Sequence, residues 1–233
     1  MPSVVSRGEW LEARKRLLAE EKAFDRQRDA LSAKKRALPW VRIDESYPMI
    51  AEDGPTDLAG LFGRYGQLVV YHFMFAPDWK DGCKSCSFWA DNFDGLPPHL
   101  AARDTAFAAV SRAPIETLAT YRRRMGWRFR WVSSSPSTFN RDLGVSFEPG
   151  QPEPTYNYAP LAFDGSELPG ISVFAKQDGA VYHTYSTYAR GLDLFNAAYH
   201  YLDVVPKGRD EGGDGMFWVR HRDRYGVGPD GRP

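Results

Sequence analysis

The stretch that most constrains the fold is residues 68–94, in which an apolar run leads into a pair of cysteines. Residues 68–75 are β-branched and aromatic, a pattern that predicts a short strand buried on both faces of a sheet. A turn containing Pro77 and Gly82 follows, then the sequence Cys-Lys-Ser-Cys and a predicted helix over residues 87–93. A strand, a turn, a C-x-x-C motif and a helix in this order are typical of redox sites.

The two cysteines of this motif, Cys83 and Cys86, are the only ones in the chain. Cys83 is predicted to lie where a helix begins, and the unpaired N–H groups there favour the thiolate, which is the nucleophile. Cys86 follows one helical turn later, so the two sulfur atoms can meet. Two alternatives stay open, half of a zinc site and a pair of inert core cysteines. Because the five histidines are scattered without the paired spacing of zinc ligands, we expect no metal.

The charge balance and the apolar pattern exclude several classes of partner. Thirty basic and thirty acidic side chains give a formal net charge of zero, which disfavours nucleic acid or an anionic membrane as the main partner. Residues 122–131 mix arginines with aromatic residues, but we interpret them as a solvated helix end and a strand with outward arginines. No apolar run reaches membrane-spanning length, and the N-terminus lacks an apolar signal core. We therefore expect a cytoplasmic protein, in which thiols are kept reduced.

The N-terminal region is predicted to form one long helix over residues 7–36. Ser6 and Glu9 make a capping-box pattern at its start. An apolar residue recurs every seven positions while charges fill most of the rest, which gives a narrow seam suited to a partner surface. The members of this seam are Trp10, Leu17, Phe24, Leu31 and Leu38. We expect residues 1–38 to be an arm that packs on a second subunit of a homodimer; the alternative is a brace across its own domain.

The remainder of the chain is predicted to form one main domain, residues 39–207, followed by a glycine-rich linker and a tail that docks on the body, residues 208–233. Strands that alternate with helices indicate an α/β sheet, mostly parallel and covered on both faces, to which a final hairpin adds an antiparallel strand. Residues 40–67 are predicted to form a hairpin or loop that leads into the core. The predicted elements that follow are strands 68–75, 105–111 and 129–133, helices 87–93 and 114–125, a hairpin of residues 171–176 and 180–186, and helix 192–204.

Two further features could contribute to a site. The proline-rich loop of residues 134–168, which carries Tyr156 and Tyr158, is long for a compact domain, and such loops are usually functional. His183 could line the active cleft with neighbouring tyrosines, or it could be a sheet histidine with satisfied hydrogen bonds. We favour the second interpretation for this single residue.

This order of elements, with C-x-x-C at the start of the first core helix, resembles the thioredoxin superfamily. The additional helix and strand in residues 115–133 resemble the peroxiredoxin and alkyl-hydroperoxide-reductase branch. More closely, the chain resembles a bacterial family of thioredoxin-like proteins of unknown function. The matching motifs are GCKSCSF at 82–88, SRAP at 111–114, RMGW at 124–127, LPG at 168–170 and HTYSTYARG at 183–191. The resemblance implies a thioredoxin-like fold, with a central mixed sheet, helices on both faces and the long N-terminal helix in addition.

The resemblance also implies where a substrate would bind. Thioredoxin-like proteins carry a cis-proline that faces the cysteines, and Pro169 stands in the matching place, which would leave the backbone at Leu168 free for an extended substrate; the alternative is an ordinary trans proline in a turn. Trp79 precedes the cysteines much as an aromatic residue does in thioredoxins. Lys84, between the cysteines, is a cation that would favour the thiolate of the first one; the alternative is a solvated surface lysine. Peroxiredoxins have a threonine or serine three residues before their cysteine, and this chain has Lys80 there.

The predicted function is that of a thiol-disulfide oxidoreductase without a cofactor. Cys83 would attack a disulfide and Cys86 would resolve the mixed disulfide. The expected partners are a protein or small-molecule disulfide and a thiol or reductase that donates electrons. One alternative is a thiol peroxidase of peroxiredoxin type, in which Cys83 passes through a sulfenic acid. The other is a non-catalytic binding or assembly module, in which the N-terminal arm is the working part.

Overall fold

The computed structural model describes residues 3–148, 150, 154–213 and 215–226. The chain divides into two compact units, residues 1–40 and residues 41–233. Pro149 and Pro152 of the long loop, Asp214 of the expected linker and residues 227–233 of the expected tail lie outside the described residues.

The first unit is the helix α1, Arg7–Arg36, with the bounds that the sequence predicts. Its capping box is present, because the Ser6 hydroxyl accepts the N–H of Glu9 at 3.3 Å and the Glu9 carboxylate accepts the N–H of Ser6 at 2.9 Å. No residue of α1 is buried. The five side chains of the predicted seam are between 45% and 61% exposed.

The second unit contains two sheets within its described residues. The strands are β1 (Val41–Ile43), β2 (Pro48–Ala51), β3 (Gly54–Asp57), β4 (Gln67–His72), β5 (Thr105–Ser111), β6 (Arg130–Ser133), β7 (Thr155–Tyr156), β8 (Ala159–Pro160), β9 (Gly170–Gln177) and β10 (Ala180–Tyr188). The larger sheet has eight strands in the order β1-β10-β9-β4-β5-β6-β2-β3, and β7 pairs with β8 separately. The helices are α2 (Leu58–Leu61), α3 (Lys84–Ala90), α4 (Leu96–Ala101), α5 (Ile115–Met125), α6 (Phe139–Asp142) and α7 (Ala197–Leu202), with 3-10 turns at Ala189–Phe195 and Arg222–Arg224.

The centre of the larger sheet has the thioredoxin-like arrangement, which confirms the predicted fold. Strands β4, β5 and β6 are parallel neighbours, and β9 and β10 add to β4 as an antiparallel hairpin. Helix α3 lies in the connection from β4 to β5, as parallel pairing requires a crossover. The expectation of a mostly parallel sheet is wrong, because β1, β2, β3, β9 and β10 all pair antiparallel.

The sheet is buried on both faces, as the pattern of β4 predicts. Leu68 and Val70 belong to one hydrophobic cluster together with residues of α2 and α6. Tyr71 belongs to a second cluster, which contains residues of α3 and α5 and is rich in aromatic side chains. Successive residues of a strand point to opposite faces, so β4 contributes to both clusters.

Among the element bounds that differ from the prediction, those of β4, α3 and the last predicted helix have a clear physical cause. Strand β4 ends at His72, because the backbone of Met74 bonds to the cysteine motif. Helix α3 begins three residues earlier than residue 87, so Cys86 lies inside it. The predicted helix 192–204 is interrupted at Asn196, whose buried side chain accepts the N–H of Tyr199 at 3.3 Å and so caps α7. None of the described helices is long and apolar enough to cross a membrane.

Candidate active site

The end of β4 fixes the spacing of the cysteine pair. The C=O of Met74 accepts a hydrogen bond from the N–H of Cys83 at 3.1 Å, and the N–H of Met74 donates to Cys86 Sγ at 3.4 Å. Cys83 is the N-cap residue of α3, and Cys86 is the third residue of that helix. One backbone position therefore holds both cysteines.

The two cysteines differ in their access to solvent. Both are free thiols. Cys83 is partly exposed, whereas the side chain of Cys86 is only 2% exposed and packs in the aromatic cluster with Tyr71 and Phe73. A substrate can therefore reach Cys83 first, with Cys86 behind it.

The surroundings of Cys83 lower its pKa from 9.0 to about 6. The largest contribution is the hydrogen bond from the Cys86 thiol, and the backbone N–H groups of Cys86 and Ser85 add to it. Partial burial acts in the opposite direction. Hydrogen bonds to the charged form outweigh desolvation here, so the thiolate form of Cys83 is favoured.

The pKa of Cys86 is shifted in the opposite direction, well above its ordinary value. Burial is the largest cause, and the neighbouring Cys83 is the next. Cys86 must keep its proton to donate the hydrogen bond to Cys83, which favours the thiol form of Cys86. The hydroxyl of Tyr71 and the N–H of Met74 oppose this shift because both can donate to the Cys86 sulfur. Tyr71 is itself buried, and desolvation raises its pKa, so it stays a phenol that donates.

Side chains outside the motif hold the carbonyl of Cys83. The backbone N–H and the hydroxyl of Ser87 each donate to Cys83 O at 2.9 Å. Since the Ser87 hydroxyl donates its one proton there, the Tyr121 hydroxyl at 2.9 Å must donate to Ser87 Oγ. Ser87 and Tyr121 were not singled out from the sequence, because their role depends on the packing of α5 against α3.

The long loop brings Tyr156 toward the pair. Its hydroxyl donates to the C=O of Pro169 at 2.7 Å and accepts the N–H of Ala189 at 2.9 Å. Burial raises the pKa of Tyr156 to about 12, with a smaller contribution from the charge of Cys86. The loop thus supplies one side chain to the surroundings of the thiols and ties the turn before β9 to β10.

Two expectations about that turn are wrong. The peptide bond before Pro169 is trans. The N–H of Leu168 is not free for a substrate, because it donates to the C=O of Val145 at 2.9 Å. The loop folds back on itself here, with an antiparallel bridge between Ser146 and Glu167.

The other predicted substrate contacts lie around the motif. Trp79, like Cys83, is partly buried against the cluster that contains Cys86, and its backbone N–H donates to Ala76 O at 3.2 Å. Lys84 is exposed, with Nζ 3.5 Å from the C=O of Met216. Lys80, at the position of the peroxiredoxin hydroxyl residue, is exposed.

His183 is a satisfied sheet histidine, as the second interpretation had it. Its Nε2 lies 2.7 Å from Ser186 Oγ, and a hydrogen-bonded chain continues through Ser172 Oγ to His72 Nε2, with both further distances 2.8 Å. Its ring packs on Phe174, which belongs to the cluster on the face opposite to Cys86. Across the described ranges, no group of three or more His, Cys, Asp or Glu side chains could hold a metal ion.

Comparison with known proteins places the chain in a family. The sequence profile described as "Bacterial protein of unknown function (DUF899)" matches residues 1–225. No curated protein matches the chain in sequence. A mutant of Xanthomonas campestris peroxiredoxin Q is a similar solved structure, with a TM-score of 0.48 and 16% identity over 70% of this chain and 98% of that chain. Peroxidoxin BcpB from Mycobacterium tuberculosis is also similar, with a TM-score of 0.48 and 14% identity over 69% of this chain and 94% of that chain.

Proposed function

The chain belongs to the bacterial family DUF899, and we propose that this member is a thiol-disulfide oxidoreductase that uses Cys83 and Cys86. One observation carries the proposal: a partly exposed cysteine with a pKa of about 6 stands in front of a buried cysteine whose pKa is raised. Such asymmetry provides a thiolate to attack and a protected thiol to resolve.

The reaction follows from this asymmetry. The Cys83 thiolate attacks one sulfur of a substrate disulfide, the substrate S–S bond breaks, and one substrate thiolate leaves. Cys86 then loses its proton to the departing thiolate and attacks Cys83 Sγ. The bond between Cys83 and the substrate breaks, and the second substrate sulfur leaves as a thiolate. Two electrons pass to the substrate, and the Cys83–Cys86 disulfide remains until a thiol or reductase reduces it.

The surroundings of Cys83 suggest how a substrate would be held. Trp79 offers an apolar surface beside the motif, and Lys84 offers a cation at the first helical position. The turn at Leu168 and Pro169 would contribute through side-chain contact, since the Leu168 N–H is already bonded. In the cytoplasm, where other thiols keep the pair reduced, the protein would act as a reductant of protein or small-molecule disulfides.

The test is a redox titration of the purified chain. We expect Cys83 and Cys86 to convert reversibly between dithiol and disulfide across a series of glutathione buffers, and Cys86→Ser to trap a mixed disulfide at Cys83. Intact-mass spectrometry after acid quenching and alkylation separates the three states. The matched control is Cys83→Ser, which retains the buried thiol. A wild-type pair that oxidises only after denaturation would overturn the proposal and favour the binding or assembly module.

A thiol peroxidase is the second candidate, since a thiolate with a low pKa also attacks peroxide. Lys80 occupies the position where peroxiredoxins have a hydroxyl residue. We therefore expect Cys83 to react more slowly with hydrogen peroxide than with a protein disulfide of matched concentration. Stopped-flow measurement of tryptophan fluorescence gives both rates. Rapid peroxide reduction that Cys83→Ser abolishes would reverse this ranking.

A further inference from the structure

The peptide that leads into Cys83 is enclosed by parts of the chain that are distant in sequence. Gly82 is buried, and a Cβ added there would lie 2.8 Å from the Phe73 ring and 3.2 Å from the Tyr121 ring. The N–H of the same peptide, on Cys83, donates to Met74 O. The peptide can therefore move only if its surroundings move.

The C=O of that peptide is bonded by a residue 139 positions further along the chain. His221 Nε2 lies 2.9 Å from Gly82 O. Because a carbonyl only accepts, the histidine must carry its proton on Nε2 and donate it. The His221 ring is 8% exposed and packs edge-on against Tyr121, with ring centroids 5.9 Å apart.

The segment that carries His221, residues 219–225, is fastened beside the motif by ion pairs; we call it the C-terminal strap. Asp81, just before Gly82, bonds to Arg224 of the strap at 3.0 Å and to Arg124 of α5 at 2.6 Å. Arg124 also bonds to Asp223 of the strap at 2.7 Å and 3.0 Å. These contacts place the strap over the loop that enters the redox motif.

We propose that His221 is a positioning residue for Cys83 and that the C-terminal strap is a working part of the redox site. The hydrogen bond to Gly82 O fixes the orientation of the peptide before Cys83. That orientation sets where the sulfur stands relative to the donors in the first turn of α3. The inference rests on the proposed function for its purpose, although the hydrogen bond itself can be tested without it.

The first experiment is made on the wild-type chain. The ¹⁵N chemical shifts of the His221 ring show which ring nitrogen carries a proton, and we expect a proton on Nε2. Oxidation of Cys83 and Cys86 should shift the Nε2–H resonance, because the peptide it bonds adjoins the reacting sulfur. The Nδ1–H tautomer would overturn the proposal, since no proton would then face Gly82 O.

The second experiment separates the hydrogen bond from packing. His221→Phe keeps an aromatic ring beside Tyr121 but removes the donor, whereas His221→Gln keeps an N–H donor without the ring. We expect His221→Phe to raise the pKa of Cys83 by about 0.5–1 unit and slow its alkylation at pH 6 several-fold, with substantial recovery in His221→Gln. His99→Phe, on the exposed side of α4, is the control. The readout is the pH profile of iodoacetamide alkylation.

Each outcome of this comparison has a definite meaning. A purely structural role would lower the melting temperature of both His221 variants and leave the alkylation profile at its wild-type midpoint, which would overturn the inference. Equal shifts in His221→Phe and His221→Gln would also overturn it. Alkylation needs no disulfide chemistry, so a chain that fails the glutathione titration but shows the His221 effect would reject the proposed function alone.

Discussion

At the scale of single residues, the site depends on a division of roles between two identical side chains. Cys83 and Cys86 share a hydrogen bond that lowers the pKa of the first and raises that of the second. The neighbours reinforce the difference, because N–H groups point at Cys83 whereas aromatic rings surround Cys86. The reactivity of each thiol is therefore set by its position in the fold, and neither pKa shift is a property of cysteine alone.

This coupling leads to a prediction about Cys86→Ala. Removing the Cys86 thiol takes away the largest contribution to the low pKa of Cys83, so the pKa should rise from about 6 toward 9.0. Thiolate absorbance at 240 nm, followed against pH, measures it. Ser85→Ala, which keeps the backbone N–H, should leave most of the shift in place. An unchanged midpoint in Cys86→Ala would show that the backbone donors alone suffice.

The same pKa has a consequence for stability. The pKa of Cys83 is lower in the folded protein, about 6, than in the unfolded protein, 9.0. Its ionisation therefore stabilises the fold fully when the pH is above 9.0, and this stabilisation is lost as the pH falls through about 6. The reduced protein should thus gain stability relative to Cys83→Ser as pH rises from 6 to 9. Urea unfolding at both pH values in the presence of reductant measures the difference.

At the scale of elements, one ion pair with a buried carboxylate joins the long loop to the sheet. Arg112 follows β5, and its Nε donates to Glu167 Oε1 at 2.5 Å, while Ser146 Oγ donates to Oε2 at 2.7 Å. Glu167 is 2% exposed, and burial raises its pKa despite these partners. This pair directly precedes the turn at Leu168 and therefore anchors the part of the loop nearest the site.

We predict that Arg112→Ala costs about 3 kcal/mol of unfolding free energy, because it leaves a buried carboxylate uncompensated. The loss should be smaller at pH 5 than at pH 7, since protonation relieves the unpaired charge of Glu167. Arg141→Ala is the control, because the Arg141–Glu148 pair is 46% and 58% exposed and should contribute less than about 1 kcal/mol. Urea denaturation at pH 5 and pH 7 measures the unfolding free energy of both variants. Equal losses in Arg112→Ala and Arg141→Ala at pH 7 would contradict the anchoring role of the Arg112–Glu167 pair.

At the scale of the whole molecule, the helix α1 displays an apolar seam that needs a partner surface. Burial of each large side chain should stabilise an interface by about 1.5–3 kcal/mol, which can exceed the cost of association. We propose that the chain is a homodimer through this helix. Phe24→Glu with Leu31→Glu should yield monomers in light scattering, whereas Arg26→Glu, on the opposite side of α1, should not. A wild-type monomer, or a dimer unaffected by the double substitution, would contradict the proposal.

The sequence predicted local features better than those that depend on distant contacts. The helix α1, strand β5 at residues 105–111 and the end of α5 at Gly126 follow from capping, burial patterns and a left-handed glycine, all of which are local. The hairpin of β2 and β3 lies within residues 40–67, where a hairpin or loop was predicted, but the pairing of β1 with β10 and of β2 with β6 was missed because it joins distant residues. Tyr71, Tyr121 and His221 were missed as site residues for the same reason, since nothing in their own neighbourhoods marks them.

The contacts of Met74 have an evolutionary consequence. Both hydrogen bonds that space the cysteines come from its main chain, and every amino acid except proline has that N–H. We therefore expect the volume of the surrounding core to limit natural variation at position 74, whereas the positions of the two thiols should not change with the side chain there. In related chains we expect leucine or isoleucine to replace methionine here without altering the reaction, and proline to be excluded by selection.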